Sequence, residues 1–203
     1  MTTSETTLSK RGYHHGDLRA VLVEATRRLV EENGPDHVSI AAACRLAGVS
    51  TAAPYKHFRD KTEMLNAVAL DGMERQRLQM FAALEGIPEG SPDRVAALGR
   101  VYVTFAVAEP GVFRLMFALS GEHADEPALM EKGEEVFGLV KREVARCTGE
   151  DEESDAVERR AFALWSFVHG LSFLTIDGKI AKMCGDLEVE PLLADIARRV
   201  LAA

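Results

Sequence analysis

Apolar positions along this chain recur every three or four residues in segment after segment, and no stretch alternates at period two for long. That is the spacing of helices packed against a core, and it predicts an all-α protein. The first helix is expected from about Asp17 to Glu32. Leu18, Val21, Leu22, Ala25 and Leu29 share one face, and Asn33-Gly34 is the stop. Asp17 stands where a carboxylate meets the free N–H groups of a helix start. Ser39 caps a short helix, "IAAACRLA", that ends at Gly48. Ser50 is expected to cap another, "TAAPYKHF", with Pro54 near its first turn, where a missing N–H costs little. Asp60 caps a long helix from Lys61 to near Glu85, and "EGIPEGSP" is a loop.

Beyond that loop, "DRVAALGRVYVTFAVA" reads as a helix stopped at Pro110, and "GVFRLMFAL" as a short apolar one. A loop, "GEHADEP", precedes a helix over 127–147 with charged outer faces. Helices over 155–177 and 191–202 follow, joined by the connector "CGDLEVE". The helix over 155–177 is apolar nearly all round: Ala161, Leu164, Trp165, Val168 and Leu171 on one side, Phe162, Ser166, His169, Phe173 and Ile176 on the other. Such a helix must be covered from two directions, one of them plausibly a second subunit. Leu192, Leu193, Ile196 and Val200 form a further stripe in search of cover. Leu164, Val168 and Leu171 with that stripe are therefore the candidate dimer interface, in a four-helix contact.

Composition adds three things. The chain of 203 residues is 47% hydrophobic, enough for a real core, and has no run of eighteen apolar residues to span a membrane. Its start, "MTTSETTLSK", lacks the order of a signal peptide and reads as a flexible tail; a cytoplasmic protein is expected. Cys44, Cys147 and Cys184 show no ligand spacing and read as free thiols. The net charge of −8 is opposite in sign to that of a typical nucleic-acid binder, but its distribution is informative. Residues 1–61 hold nine Lys/Arg against seven Asp/Glu, a mildly basic head; the remainder holds fifteen against twenty-five, an acidic body.

Two short helices joined by "AGVS" form a helix-turn-helix pattern. Ala47 allows a close crossing, Gly48 the turn, Val49 a small plug, and Ser50 the cap of the helix that would enter a major groove. The stretch "GVSTAAPYKHFRDKTEML" resembles the signature of the tetracycline-repressor family of bacterial transcription regulators. Gly48, Val49, Ser50, Tyr55, Phe58 and Lys61 fall in register, over roughly residues 15–65. Ala43-Cys44 stands where that family usually has Ile-Ala. Phe58 should anchor its segment. Tyr55 should pack its ring and offer its hydroxyl to a phosphate, and Lys61, at a helix start, should also meet phosphate. Thr51, Ala52, Ala53, Pro54, Lys56 and His57 are left to face the groove, the apolar ones against a thymine methyl.

"SKRGYHHGDLR" then reads as the lead-in to a DNA-binding domain, and similar lead-ins are common in one branch of that family. Lys10 and Arg11 suit a basic arm over 1–14 on the DNA backbone or minor groove. His14, His15 and Asp17 look like metal ligands, but adjacent histidines on a helix point about 100° apart and do not readily share one ion. The expected domains are that arm, a helix-turn-helix domain over 15–62, and a helical regulatory and dimerisation domain over 63–203. Trp165 with Val168-His169-Gly170 resembles the Trp-His-Gly C-terminal domain of the same branch. Tyr102, Phe105, Phe113, Met116, Phe117, Trp165, His169 and Phe173 either fill a core or line an apolar cavity, as that family's ligand domains do. The resemblance implies a dimeric repressor on a palindromic double-stranded operator, released by a small, mostly apolar effector, with no cofactor and no catalysis. The competing reading, an all-helical enzyme or metal protein using His14, His15 and Asp17 or His169, finds no phosphate loop, HExxH pair or nucleophile elbow to support it.

Overall fold

The computed structural model describes residues 18–118, 127–185 and 187–202, and every regular element among them is helical. Helix α1 (Leu18–Asn33) buries Leu22, Val23, Ala25, Thr26 and Val30 on one face. Ser39 Oγ accepts from Ala42 N (3.1 Å) to start α2 (Ile40–Ala47), which ends at Gly48 with φ 70°, a left-handed backbone that suits a residue without Cβ. Asp60 accepts from Glu63 N (2.8 Å) and starts the long α3 (Lys61–Ala83).

The segment between α2 and α3 departs from expectation. "TAAPYKHF" forms no α-helix: after a turn it makes a single 3-10 turn over Pro54–Lys56. Pro54 would be the first residue of such a helix to donate an N–H to the i−4 carbonyl, that of Ser50, and it has none to give. In so short a segment that loss removes the nucleus. The remaining bonds are Ala53 N to Ser50 O (3.1 Å) and His57 N and Phe58 N to Pro54 O (2.8 and 2.9 Å).

The body comprises α4 (Pro92–Ala108), α5 (Pro110–Ala118), α6 (Pro127–Thr148), α7 (Asp155–Ile176), α8 (Lys179–Cys184) and α9 (Val189–Ala202). The short α8 lies where the sequence assigned no helix; Gly178 (φ 66°) breaks the chain from α7. Helix α4 is the centre. Its run from Arg94 to Gly99 is buried without interruption, which needs neighbours on every side, and α3, α6, α7 and α9 supply them. A Cβ on Gly99 would come within 3.2 and 3.3 Å of Val168 and Leu193 side-chain atoms, so α7 and α9 pack closely on α4 there. Arg94 joins α4 to α6 through Glu143 (2.6 and 3.2 Å) and also donates to Leu84 O and Ile87 O (3.1 and 2.8 Å).

One hydrophobic core runs without a gap from Leu22, Val38, Ala43, Cys44 and Phe58 around α1 and α2 to Phe105, Phe113 and Leu171 in the body. A smaller cluster of Val95, Val144, Val157, Ala161 and Ala197 closes the far end. Among the described residues no single helix is long and apolar enough to cross a membrane.

Candidate functional site

The head presents one edge to solvent. Ser50, Thr51, Ala52, Tyr55, Lys56 and His57 are exposed, and Ala53 is half-buried. Pro54 is buried and cannot meet a thymine methyl; with no N–H to satisfy, its ring seats the segment on the core instead. Phe58 is 2% exposed and anchors the other end, with the Arg19 guanidinium 5.3 Å above its ring. Tyr55 does not pack its ring as expected: it is 63% exposed, because a 3-10 turn between two buried residues carries it outward. Lys61 Nζ donates to Asp36 O (2.9 Å), pinning the start of α3 to the linker between α1 and α2. An ammonium has three donors, so that bond leaves two for another acceptor. Lys10, Arg11, His14, His15 and Asp17 lie outside the described residues.

The body holds a cavity of about 110 Å3 lined by α3, α4, α5, α6, α7 and α9. Tyr102, Met116, Phe117 and Trp165 line it, as expected. Phe105, Phe113, His169 and Phe173 do not. Phe113 (0% exposed) and Phe105 (2%) are packed core, and Phe105 faces α3 near Gly72 and beneath the Arg75 guanidinium. Met73, Gln76, Met80, Val95, Gly99, Val136 and Phe137 complete much of the wall. Gln76 is the residue that sequence reading missed. Ala69, Met73, Gln76 and Met80 make one helical stripe, and a glutamine within an apolar stripe is the signal that was available. It is 1% exposed, and its Nε2 has no hydrogen-bond partner.

His169 is half-buried, held by one hydrogen bond and by aromatic contacts. Its Nδ1 lies 2.9 Å from the Tyr102 hydroxyl, which also accepts from Trp165 Nε1 (3.2 Å). The hydroxyl is satisfied when it donates to Nδ1, which leaves the His169 proton on Nε2. Burial pushes the His169 pKa down and that of Tyr102 well up, so both are neutral near pH 7. Phe117 and Phe173 pack on the imidazole at 4.6 and 5.0 Å between centroids. Among the described residues no group of three His, Cys, Asp or Glu could hold a metal ion.

The interface candidates divide. Leu164, Val168, Leu171 and Leu193 are already covered within the protomer, at 4 to 8% exposure, and offer little surface to a second subunit. Val168 and Leu193 lie against Gly99 of α4, and Leu164, Val168 and Leu193, with Ile196, also line the cavity. Leu192, Ile196 and Val200 are half-buried. The open face of α7 is a different stripe: Phe162 (57% exposed), Ser166, Gly170 and Leu174 (41%), each four residues from the next. A Cβ at Gly170 would meet nothing within 4 Å, leaving room for an approaching backbone.

The short α5 joins cavity to head. At its inner end are Met116 and Phe117. At its start, Glu31 of α1 accepts from Gly111 N (3.0 Å) and Val112 N (2.7 Å), the free amides of a helix N-terminus. The backbones press together there: a Cβ on Gly111 would fall 2.7 Å from Val30 O, and one on Gly72 of α3 2.6 Å from Val112. Glu109, at the 105° bend between α4 and α5, accepts from Arg27 of α1 (3.3 Å) and from both Nη atoms of Arg75 of α3.

Residues 22–68 match the family model for bacterial regulatory proteins of the tetR family, and residues 95–200 the one for a tetracyclin repressor-like C-terminal domain. The HTH-type transcriptional regulator BetI of Escherichia coli O127:H6 is 36% identical over 76 residues, 37% of this chain and 39% of that protein, so the match spans well under half of the relative's length. A protein of unknown function from Rhodococcus sp. RHA1 has a similar structure (TM-score 0.79, 31% identity), covering 95% of this chain and 98% of that one. The fold is also that of the fatty acid degradation regulator FadR from Bacillus halodurans (TM-score 0.69, 14% identity, 95% and 97% covered).

Proposed function

The chain belongs to the tetracycline-repressor family of transcriptional regulators, and we propose that it works as a cytoplasmic homodimeric repressor that binds a near-palindromic operator and is released by a small, mostly apolar ligand. The exposed edge of Thr51, Ala52, Tyr55, Lys56 and His57 is the reading surface, with Lys56 and His57 toward base edges and Lys61 and the Tyr55 hydroxyl toward phosphates. The arm carrying Lys10 and Arg11 adds backbone or minor-groove contacts. Two copies joined along the Phe162–Leu174 stripe of α7, with α9 beside it, give a two-fold symmetric pair of heads. A dimer of that kind needs its two reading edges one helical turn of DNA apart, about 34–36 Å, or a multiple of it.

The observation that carries ligand control is α5, which has one end in the cavity and the other hydrogen-bonded to α1 of the head. An occupant that displaces Met116 and Phe117 moves α5. Because Glu31 and Glu109 tie that helix to α1 and α3, the head moves with it and the spacing of the two edges changes. The ligand acts only through a difference in its affinity for the operator-competent and incompetent states, and a tenfold loss of DNA affinity needs about 1.4 kcal/mol of it.

The test uses purified protein and duplexes tiled from the DNA upstream of its own gene. The expected result is a dimeric mass by light scattering and saturable binding to one near-symmetric duplex, falling steeply between 50 and 200 mM salt. A screen of apolar compounds by thermal shift, repeated with that duplex, should find binders that weaken DNA affinity. A monomeric mass at micromolar concentration, or equal affinity for unrelated DNA, refutes the operator reading. Binders that raise the melting temperature and leave DNA affinity unchanged refute the coupling.

A further inference from the structure

The cavity wall is almost free of polar atoms. Among the described residues that line it, only Gln76, Tyr102 and Trp165 carry a polar side-chain group, and Tyr102 and Trp165 already satisfy each other and His169. Gln76 alone brings an unmatched donor, 1% exposed, between Met73 and Met80 on the same face of α3. Burying an amide without a partner is unfavourable, and a leucine of similar volume at that place would cost nothing of the kind. A water is a poor remedy, since a buried water needs two to four polar partners and the described wall offers one unmatched group.

We propose that Gln76 is the polar anchor of the effector: its carboxamide hydrogen-bonds an uncharged head group such as a carbonyl, on a molecule whose apolar body fills the cavity of α3, α4, α5, α6, α7 and α9. The inference rests on the ligand-released reading above and names the class of ligand. The head is uncharged because, among the described residues, nothing in the wall can balance an ion. No described Lys, Arg or His lines the cavity, and the buried cation nearby in the fold, Arg94, is spent on Glu143, Leu84 O and Ile87 O. A carboxylate there would lose its hydration without a counter-charge. The body is small or flexible-fitting. About 110 Å3 is less than the 150 Å3 of an engineered cavity that takes benzene. Anything larger must push aside the unbranched thioethers of Met73, Met80 and Met116, which adapt easily.

Trp165 is the chain's single tryptophan and lies in the wall, so its fluorescence reports occupancy directly. The full-length protein and Gln76→Leu are titrated at pH 8 with three probes: 2-heptanone, its isostere 2-methyl-1-heptene, which has CH2 in place of the carbonyl oxygen, and heptanoate. The parent should prefer the ketone to the alkene by about tenfold, the effect of one net hydrogen bond. Gln76→Leu should still bind the alkene and lose the preference, with its melting temperature equal to or above the parent's. Heptanoate should bind at least tenfold more weakly than the ketone. Equal affinity of the parent for ketone and alkene, or an unchanged preference in Gln76→Leu, overturns the anchor while leaving a ligand cavity in place. Heptanoate binding as tightly as the ketone overturns the uncharged class. Silence from all three probes in both proteins overturns the cavity reading, and this inference with it.

Discussion

Replacing Glu143 with leucine should destabilise the body more than any exposed ion pair could. Glu143 is 0% exposed and the Arg94 side chain 10%, so neither charge is screened by water. In Glu143→Leu the guanidinium keeps two carbonyl partners but loses its ion-pair partner, with only the more distant Glu89 left. Removing one member of a buried pair costs about 3–5 kcal/mol, and the two surviving bonds place this case near the lower end, about 3 kcal/mol. At about 2–4 °C per kcal/mol for a chain of this size, the melting temperature should fall by roughly 6–12 °C. Arg94→Met takes the buried partner from the carboxylate, leaving it only the half-exposed Arg146 (2.7 Å), and also frees the buried Leu84 carbonyl, which adds about 1–3 kcal/mol. The double variant Arg94→Met/Glu143→Leu has no buried charge left without its buried partner, and the half-exposed Arg146 is met by water, so it should lose mainly that last contribution. It is therefore expected to be more stable than Arg94→Met.

The assay is urea unfolding followed by circular dichroism at fixed protomer concentration, because a dimer's stability depends on it. Acidification gives a second reading. Burial pushes the Glu143 carboxyl up, but hydrogen bonds and charge from Arg94, with Arg146 beside it, outweigh that and hold it below the usual 4.5. Its stabilisation is therefore complete above that value and lost as pH falls through the lower folded-state value, so the gap between parent and Glu143→Leu should close in acid. A cost under about 1 kcal/mol for Glu143→Leu, or a double variant no more stable than Arg94→Met, would refute the reasoning.

Three further outcomes are expected. Lys61→Ala should weaken binding to every duplex alike and flatten the salt dependence, whereas Lys56→Ala should change which duplex is preferred by about 1–3 kcal/mol per lost base contact; competition with sequence-shuffled DNA separates the two. Phe162→Glu, which puts a charge on the open stripe of α7, should give a monomeric mass by light scattering with unchanged helicity, because Phe162 is 57% exposed and supports little within the protomer. Glu31→Ala removes the carboxylate that holds the start of α5. An effector found in the screen should still bind this variant, as read by Trp165 fluorescence, but should release less DNA; unaltered release would place the coupling elsewhere.

Much of the helical architecture followed from local chemistry that a sequence states outright. Ser39 and Asp60 cap the helices they precede, Gly48 takes the left-handed turn, and Phe58 anchors the reading segment, because each depends on one residue and its near neighbours. The failure at "TAAPYKHF" was also local: a proline at the first i−4 donor position of a two-turn helix removes the bond that the helix most needs, and weighing that bond would have predicted the 3-10 turn. What the tertiary structure alone decided was which apolar surface faces which neighbour. Leu164, Val168, Leu171 and Leu193 look the same in sequence whether they meet a second subunit or α4, since apolar area is non-directional and periodicity marks a buried face without marking its partner. The same holds for the aromatics. Phe113 and Phe117 are one turn apart on α5, yet the first is core and the second lines the cavity. Gln76 could be seen in the sequence as a break in a stripe, but its unpaired amide becomes meaningful only once five other helices close around it and exclude the water that would otherwise satisfy it.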